Sequence, residues 1–143
     1  MVDDFKELQR FVTAQAAVYA DVVSELSVGR KTSHWMWFVF PQFRGLGHSA
    51  MAITYGLESA DEALAYWRHP ILGARLRECT GIVLADEAKN AYDIFGSPDD
   101  AKFGSCLTLF EAVLPGEPLL CRALKQFYAG NRDERTLGLL RAG

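Results

Sequence analysis

Cysteine is scarce and poorly spaced for any shared task. Cys79, Cys106 and Cys121 make an odd number with no two closer than 15 positions, so neither a disulfide framework nor a CxxC metal knuckle is encoded, and buried thiols in a reducing cytosol are expected. Histidine is equally thin: His34, His48 and His69 lie 14 and 21 positions apart, without the i, i+4 pairing that sets two imidazoles on one helix face for zinc. No metal and no cofactor is indicated. Long apolar runs are missing too. The densest, Trp35 to Phe40, is about a third of the roughly 18 residues a membrane helix needs, so a membrane is not an expected partner. An excess of basic residues is also lacking. Fifteen Lys and Arg against 18 Asp and Glu give a net charge of −3, which disfavours nucleic acid held by bulk electrostatics and leaves room only for a local basic pocket with a small anionic molecule. The opening Met1-Val2-Asp3-Asp4-Phe5 has two acids where a signal peptide carries a basic segment and then an apolar one, so a cytoplasmic location is expected. No feature specifies an oligomeric state. Alternating β-branched stretches between hairpin turns, internal repeats and Pro/Ser-rich linkers are absent as well, which excludes an all-β plan and marks no boundary within the chain.

What is present is a core. Half of the 143 residues are hydrophobic and 23% are charged, a length and composition that fit one domain over residues 1–143, burying roughly 68–70% of the surface its unfolded chain exposes. From Phe5, apolar positions recur at three-to-four spacing through Leu8, Val12, Tyr19, Val22 and Leu26, with a gap at Gln15 and Ala16, and the run ends before Gly29. This spacing predicts a long amphipathic helix broken at most once. Ser59 and Glu62 predict a capping box, opening a helix that stops near Pro70. Leu72, Leu76, Cys79 and Val83 line the next. Ser97-Pro98-Asp99-Asp100 has the grammar of a helix start, with a capping hydroxyl, proline in the first turn and acids at the positive end of the dipole. Phe103, Leu107, Phe110 and Leu114 make its stripe. Leu120, Leu124 and Phe127 mark one more helix, and Glu134 to Arg141 a short last one. The expected architecture is all-α, with about six or seven helices around one core and an irregular aromatic-rich segment near 30–56.

Gly45-Leu46-Gly47-His48-Ser49-Ala50 fits GxGxxA, but Pro41-Gln42-Phe43-Arg44 intervenes after the apolar run and no second strand follows. A dinucleotide loop needs both features, so these glycines are read as turn residues. His69-Pro70 is read as a helix boundary whose ring caps or packs. Cys106 falls near the apolar side of the 98–114 helix, where a thiol is inert unless something lowers its pKa. The informative stretch is Gly29 to Ser49, with five aromatics (Trp35, Trp37, Phe38, Phe40, Phe43) among Arg30, Lys31, His34, Gln42, Arg44 and His48. Planar rings beside cations and amides suit a flat anionic ligand. They equally suit rings that pin an irregular loop while the charges stay in water.

The stretch Gly29-Arg30-Lys31-Thr32-Ser33-His34-Trp35-Met36-Trp37-Phe38-Val39-Phe40-Pro41-Gln42, followed by Gly45-Leu46-Gly47 and Ser49, closely resembles the signature of a bacterial and fungal family, domain of unknown function 1810. Ala14-Gln15, Tyr19, His69-Pro70-Ile71-Leu72-Gly73, Ile94 to Lys102, Thr108-Leu109-Phe110, Gly130, Asp133 and Thr136-Leu137 extend the likeness over nearly the whole chain. One departure stands at Ser105-Cys106, where the family pattern has two adjacent small hydroxyl residues. Some members carry the label calpastatin, an inhibitor largely disordered when free, whereas the aromatics and helix caps here describe a globule. The resemblance implies an all-α domain and supplies no activity.

The polar members of that signature fall in two blocks far apart in sequence, both beside helix starts or irregular backbone. The expectation is that the blocks meet in one pocket. Trp35 and Trp37 would line it, Lys31 and Lys102 would face an anion, and Gln42, Arg44, Ser49, Ser105 and Thr108 would add contacts. His34 would serve as general acid or base, with Asp99 orienting it or activating water. On this reading the chain is a cytosolic enzyme, hydrolytic in type, acting on a small phosphorylated or nucleotide-type ligand. The alternative is a small-ligand-binding or protein-interaction domain without chemistry.

Overall fold

The computed structural model describes residues 4–142, with side chains from Glu7 onward. The Met1-Val2-Asp3 opening and the Phe5 side chain lie outside them. Ten helices and no strand occur among the described residues: α1 (Asp4–Ala16), α2 (Tyr19–Val28), α3 (Met36–Val39), α4 (Ala50–Tyr55), α5 (Ala60–Arg68), α6 (Leu72–Ala85), α7 (Ala91–Phe95), α8 (Asp99–Val113), α9 (Pro118–Tyr128) and α10 (Glu134–Ala142). The fold is all-α, with three more helices than the periodicity predicts. The extra ones are α3, α4 and α7, of four to six residues each. So short a helix shows no 3.6-residue pattern and is too short to persist alone, so its existence depends on what it packs against. The first two of them lie inside the segment expected to be irregular near 30–56.

The long amphipathic pattern of residues 5–28 breaks once, immediately after Ala16. The break frees α1 to pack on α3 and α5 while α2 lies along α6. Gln15, a polar interruption in the apolar stripe, is 1% exposed. Its Nε2 donates to the Phe38 carbonyl at 2.6 Å and to the Tyr66 hydroxyl oxygen at 3.0 Å, and its Oε1 accepts from Arg75 at 3.3 Å. One amide thus ties α1 to α3, α5 and α6. At the end of α2, Gly29 adopts φ +85° and donates its N–H to Glu25 and Leu26 carbonyls, a left-handed cap that favours glycine.

Helix α8 is the central element. Phe103 through Glu111 are all buried, so it is enclosed on every side by α5, α7, α9 and α10 rather than presenting the single stripe read from Phe103, Leu107, Phe110 and Leu114. Its small residues make this enclosure feasible: a Cβ on Gly104 would sit 3.0 Å from the Tyr128 ring of α9. Phe103 contacts the rings of Phe40, Phe95 and Phe127 with centroids 4.8–5.9 Å apart, in the range where tilted and edge-on pairs are favourable.

Two helix starts differ from their sequence reading. Ser59 accepts the Glu62 N–H at 3.0 Å as expected, but the Glu62 carboxylate reaches back to the N–H of Glu58, 2.9 Å away, and not to that of Ser59. At α8 the residue in the capping position is Pro98, which follows a cis peptide bond to Ser97. Ser97 makes no capping bond, and the Asp100 N–H is satisfied by the Gly96 carbonyl at 2.8 Å. His69 does cap: its Nδ1 accepts from Ile71 and Leu72 N–H groups at 3.1 and 3.2 Å, and burial holds its pKa below the ordinary imidazole value. A complete capping box stands at Asn90 and Asp93, a pairing that the acid-rich surroundings conceal in the sequence.

Candidate functional site

The chain after α2 and the start of α8 come together through one ion pair. Lys31 Nζ lies 2.8 Å from Asp99 Oδ2 and 2.6 Å from the Ser33 carbonyl it donates to, and it stands over the Trp35 ring at 5.0 Å. The second Asp99 oxygen faces Lys102 Nζ at 3.5 Å, and that ammonium stands over the Trp37 ring at 5.3 Å. The two signature blocks therefore meet in space.

Two clefts flank this cluster. The first, about 380 Å³, runs between residues 31–37 and the start of α8, with His34, Trp37, Ser97 and Asp99 in its walls. The second, about 320 Å³, lies between the α3–α4 connection, α8 and the start of α10, and holds Gln42, His48, Ser49, Ser105, Asp133 and Arg135. Pro98 and Lys102 belong to both. Each volume sits at the low end of the ~300–1,000 Å³ usual for small-molecule sites.

The expected site residues divide accordingly. His34 is exposed on the wall of the first cleft. No hydrogen bond joins it to Asp99 among the described residues, and both Asp99 oxygens face lysines, so the expected orienting pair is not formed. Lys31 lines the same cleft, but its side chain is only 7% exposed and its charge is met by Asp99. Trp37 is half-buried there. Gln42, Ser49 and Ser105 line the second cleft. Ser49 also caps α4, accepting the Ala52 N–H at 3.1 Å, and Ser105 Oγ donates to Asp133 Oδ2 at 3.0 Å.

Three expected contacts lie in neither cleft. Trp35 is fully buried, with its indole N–H donating to Glu25 at 3.0 Å and its ring against Phe40, so it is part of the core. Thr108 is also fully buried. Its Oγ1 donates to the Gly104 carbonyl at 2.8 Å and accepts the Asp133 N–H at 2.9 Å, fastening the start of α10 to α8. Arg44 points to the carboxylate of Glu58 and donates to the Ile53 carbonyl at 3.0 Å, bracing the loop around α4.

Sequence reasoning missed Glu25, which holds the loop that lines the first cleft. Its carboxylate accepts from the Thr32 and Ser33 N–H groups at 2.7 and 2.9 Å, the Ser33 hydroxyl at 2.5 Å and the Trp35 indole. Burial pushes this carboxyl up, but the four hydrogen bonds outweigh it and hold the pKa at about 2. A glutamate in the last turn of an amphipathic helix looks like any solvated residue. Arg135 was missed for the same reason. Asp133 carried a signal, an acid one residue before a helix, and it caps α10 by accepting the Thr136 N–H at 3.2 Å and the Thr136 hydroxyl at 2.5 Å. Cys106 is fully buried, and burial raises its thiol pKa well above the ordinary value. No group of three or more His, Cys, Asp or Glu able to hold a metal ion occurs among the described residues, and no helix among them is long and apolar enough to cross a membrane.

No curated protein matches the chain. Among solved structures, the crystal structure of the conserved hypothetical protein Rv1873 from Mycobacterium tuberculosis at 1.38 Å is similar, with a TM-score of 0.92 and 50% identity over 94% of this chain and 96% of that one. The family model described as a protein of unknown function, DUF1810, matches residues 5–140. A match over that span, carrying the same signature that joins the loop after α2 to the start of α8, makes this chain a member of the DUF1810 family.

Proposed function

We propose that this chain binds a small phosphorylated metabolite in the two clefts that meet at Pro98 and Lys102. The observation that carries the proposal is the position of Lys102. Its side chain is 26% exposed, it borders both clefts, and its Asp99 contact at 3.5 Å is longer than the ~2.7–2.9 Å of a strong charge-assisted bond. An ammonium held loosely between two concave surfaces is available to an incoming anion, unlike Lys31, whose nitrogen is engaged at 2.8 and 2.6 Å.

Hydrolysis of that ligand is the second reading. It is favoured by His34, an exposed imidazole on the wall of the first cleft that makes no hydrogen bond to a described residue and is free to move a proton. Asp99 is not its partner, so His34 would work without an orienting carboxylate.

A thermal-shift screen of phosphorylated metabolites against the wild type and Lys102→Met tests the binding reading. Ligand at 100 times Kd adds about 2.7 kcal/mol of stability, which raises Tm by several degrees in a domain of this size. The expected result is such a rise for at least one phosphorylated compound, reduced in Lys102→Met. Stabilisation by none would overturn the proposal. Incubating the best compound with wild type and His34→Gln, followed by phosphorus NMR, then separates turnover from binding alone.

A further inference from the structure

We infer that the ligand is a nucleoside phosphate lying across the Lys102 ridge, with its base in the first cleft and its phosphate in the second between Lys102 and Arg135. This rests on the binding reading above and deepens it.

Charge decides which end goes where. In the first cleft the Lys31 ammonium is paired with the Asp99 carboxylate at 2.8 Å, so Lys31 offers no free cation to a phosphate there. Its lining joins the apolar side chains of Met36, Trp37, Phe95 and Pro98 to the small hydroxyls of Thr32 and Ser33. An aromatic ring, hydroxyls and an acid in one lining suit a nitrogenous ring, which stacks on the indole and exchanges hydrogen bonds at its edge.

The second cleft adds to the shared Lys102 a cation of a different standing. Arg135 is exposed and forms no ion pair among the described residues, and its one hydrogen bond runs from Nη2 to the Leu46 carbonyl at 3.3 Å. Its remaining donors suit the fork geometry that pairs with phosphate oxygens. Asp133, in the same lining, has Oδ2 occupied by three donors, the Ser105 hydroxyl, the Thr136 hydroxyl and the Thr136 N–H. Gln42 and Ser49 supply further neutral donors. Arg135, which no acid pairs among the described residues, and Lys102 make the second cleft the anion end, and Lys102 joins it to the ring end.

Isothermal titration calorimetry with the full chain tests this, using 5′-nucleoside monophosphates, the matching nucleosides and ribose 5-phosphate against wild type, Arg135→Ala and Trp37→Leu. Arg135 is exposed, so its removal leaves the fold intact. The expected result is that a monophosphate binds at least tenfold more tightly than its nucleoside. Arg135→Ala should then weaken the monophosphate about tenfold while leaving the nucleoside unchanged within about twofold, and Trp37→Leu should weaken both. Equal effects of Arg135→Ala on nucleotide and nucleoside would overturn the inference. Ribose 5-phosphate binding as tightly as the nucleotides would also overturn it while sparing the binding reading. Failure of every phosphorylated compound to bind wild type overturns both.

Discussion

Lys31 Nζ is 2.8 Å from Asp99 Oδ2, and the side chains of the two are 7% and 19% exposed. This pair closes the loop after α2 against the first turn of α8, and it is surrounded by enough protein that removing one partner leaves the other poorly solvated. Lys31→Met and Asp99→Asn should each destabilise the fold by about 1–3 kcal/mol. The double variant should lose less than the sum, by about 1 kcal/mol. Urea denaturation of the four proteins measures the coupling, and strict additivity would show that the pair contributes nothing of its own.

Glu25 makes stability depend on acid. Its pKa falls from the ordinary 4.5 to about 2 on folding, so the folded state favours the ionised carboxylate. Its contribution is complete above the unfolded value, declines below about pH 4.5 and is nearly gone by about pH 2. Glu25→Ala should cost roughly 1–3 kcal/mol at neutral pH, with the gap to wild type narrowing as the pH drops through that window. Guanidinium unfolding at several pH values checks it, and a gap independent of pH would refute the assignment.

Gln15 is the polar residue the core depends on. Gln15→Leu fits the apolar stripe of α1 better by composition, yet it leaves the Phe38 carbonyl and the Tyr66 hydroxyl without their amide donor. A loss of about 1–3 kcal/mol is expected. Gln9→Ala on the exposed face, where the amide meets only Thr13, should change stability by no more than about 0.5 kcal/mol. Chemical denaturation of both variants distinguishes a structural amide from a solvated one.

The thiols should separate by accessibility. Cys79 and Cys106 are buried and Cys121 is half-buried. Burial is the main cause that pushes Cys79 up to about 11 and Cys106 well above its ordinary value, so neither forms thiolate near neutral pH. Native protein should react with dithionitrobenzoate at Cys121 first, with the other two thiols appearing only in denaturant. Cys121→Ser should remove the fast phase, and a fast phase that survives this change would contradict the buried placement.

Much of the helical plan was legible because it rests on local rules. The Ser59 cap, the His69-Pro70 boundary and Gly29 after α2 are backbone requirements met by neighbouring residues, and they leave marks within a few positions. The short helices α3, α4 and α7 left none, since fewer than two turns carry no period. For the candidate site, residue type pointed to the segments that line the two clefts but not to where each side chain lies. Trp35 and Trp37 are two positions apart in the same aromatic run, and only packing makes one the core beside Phe40 and the other a cleft wall. Arg44 and Arg135 are both exposed arginines, but Glu58 takes the first and no acid among the described residues takes the second.

The sequence by itself determined an all-helical chain, where its longer helices begin and end, and which two segments carry the chemistry-bearing residues. Those follow from hydrophobic spacing and from the hydrogen bonds each helix end must satisfy, which are short-range constraints. Only the tertiary structure decided that Lys31 is spent on Asp99, that Glu25 holds the loop that lines the first cleft, and that Lys102 stands between two concave surfaces. The Lys31 and Lys102 placements depend on contacts between residues distant along the chain, set when α8 is enclosed by its neighbours, and the Glu25 bonds depend on how the loop after α2 folds back on that helix. The scarcity of cysteine, histidine and excess charge shaped what was expected of the sequence, and the arrangement of a few ordinary polar side chains around α8 shapes the candidate clefts.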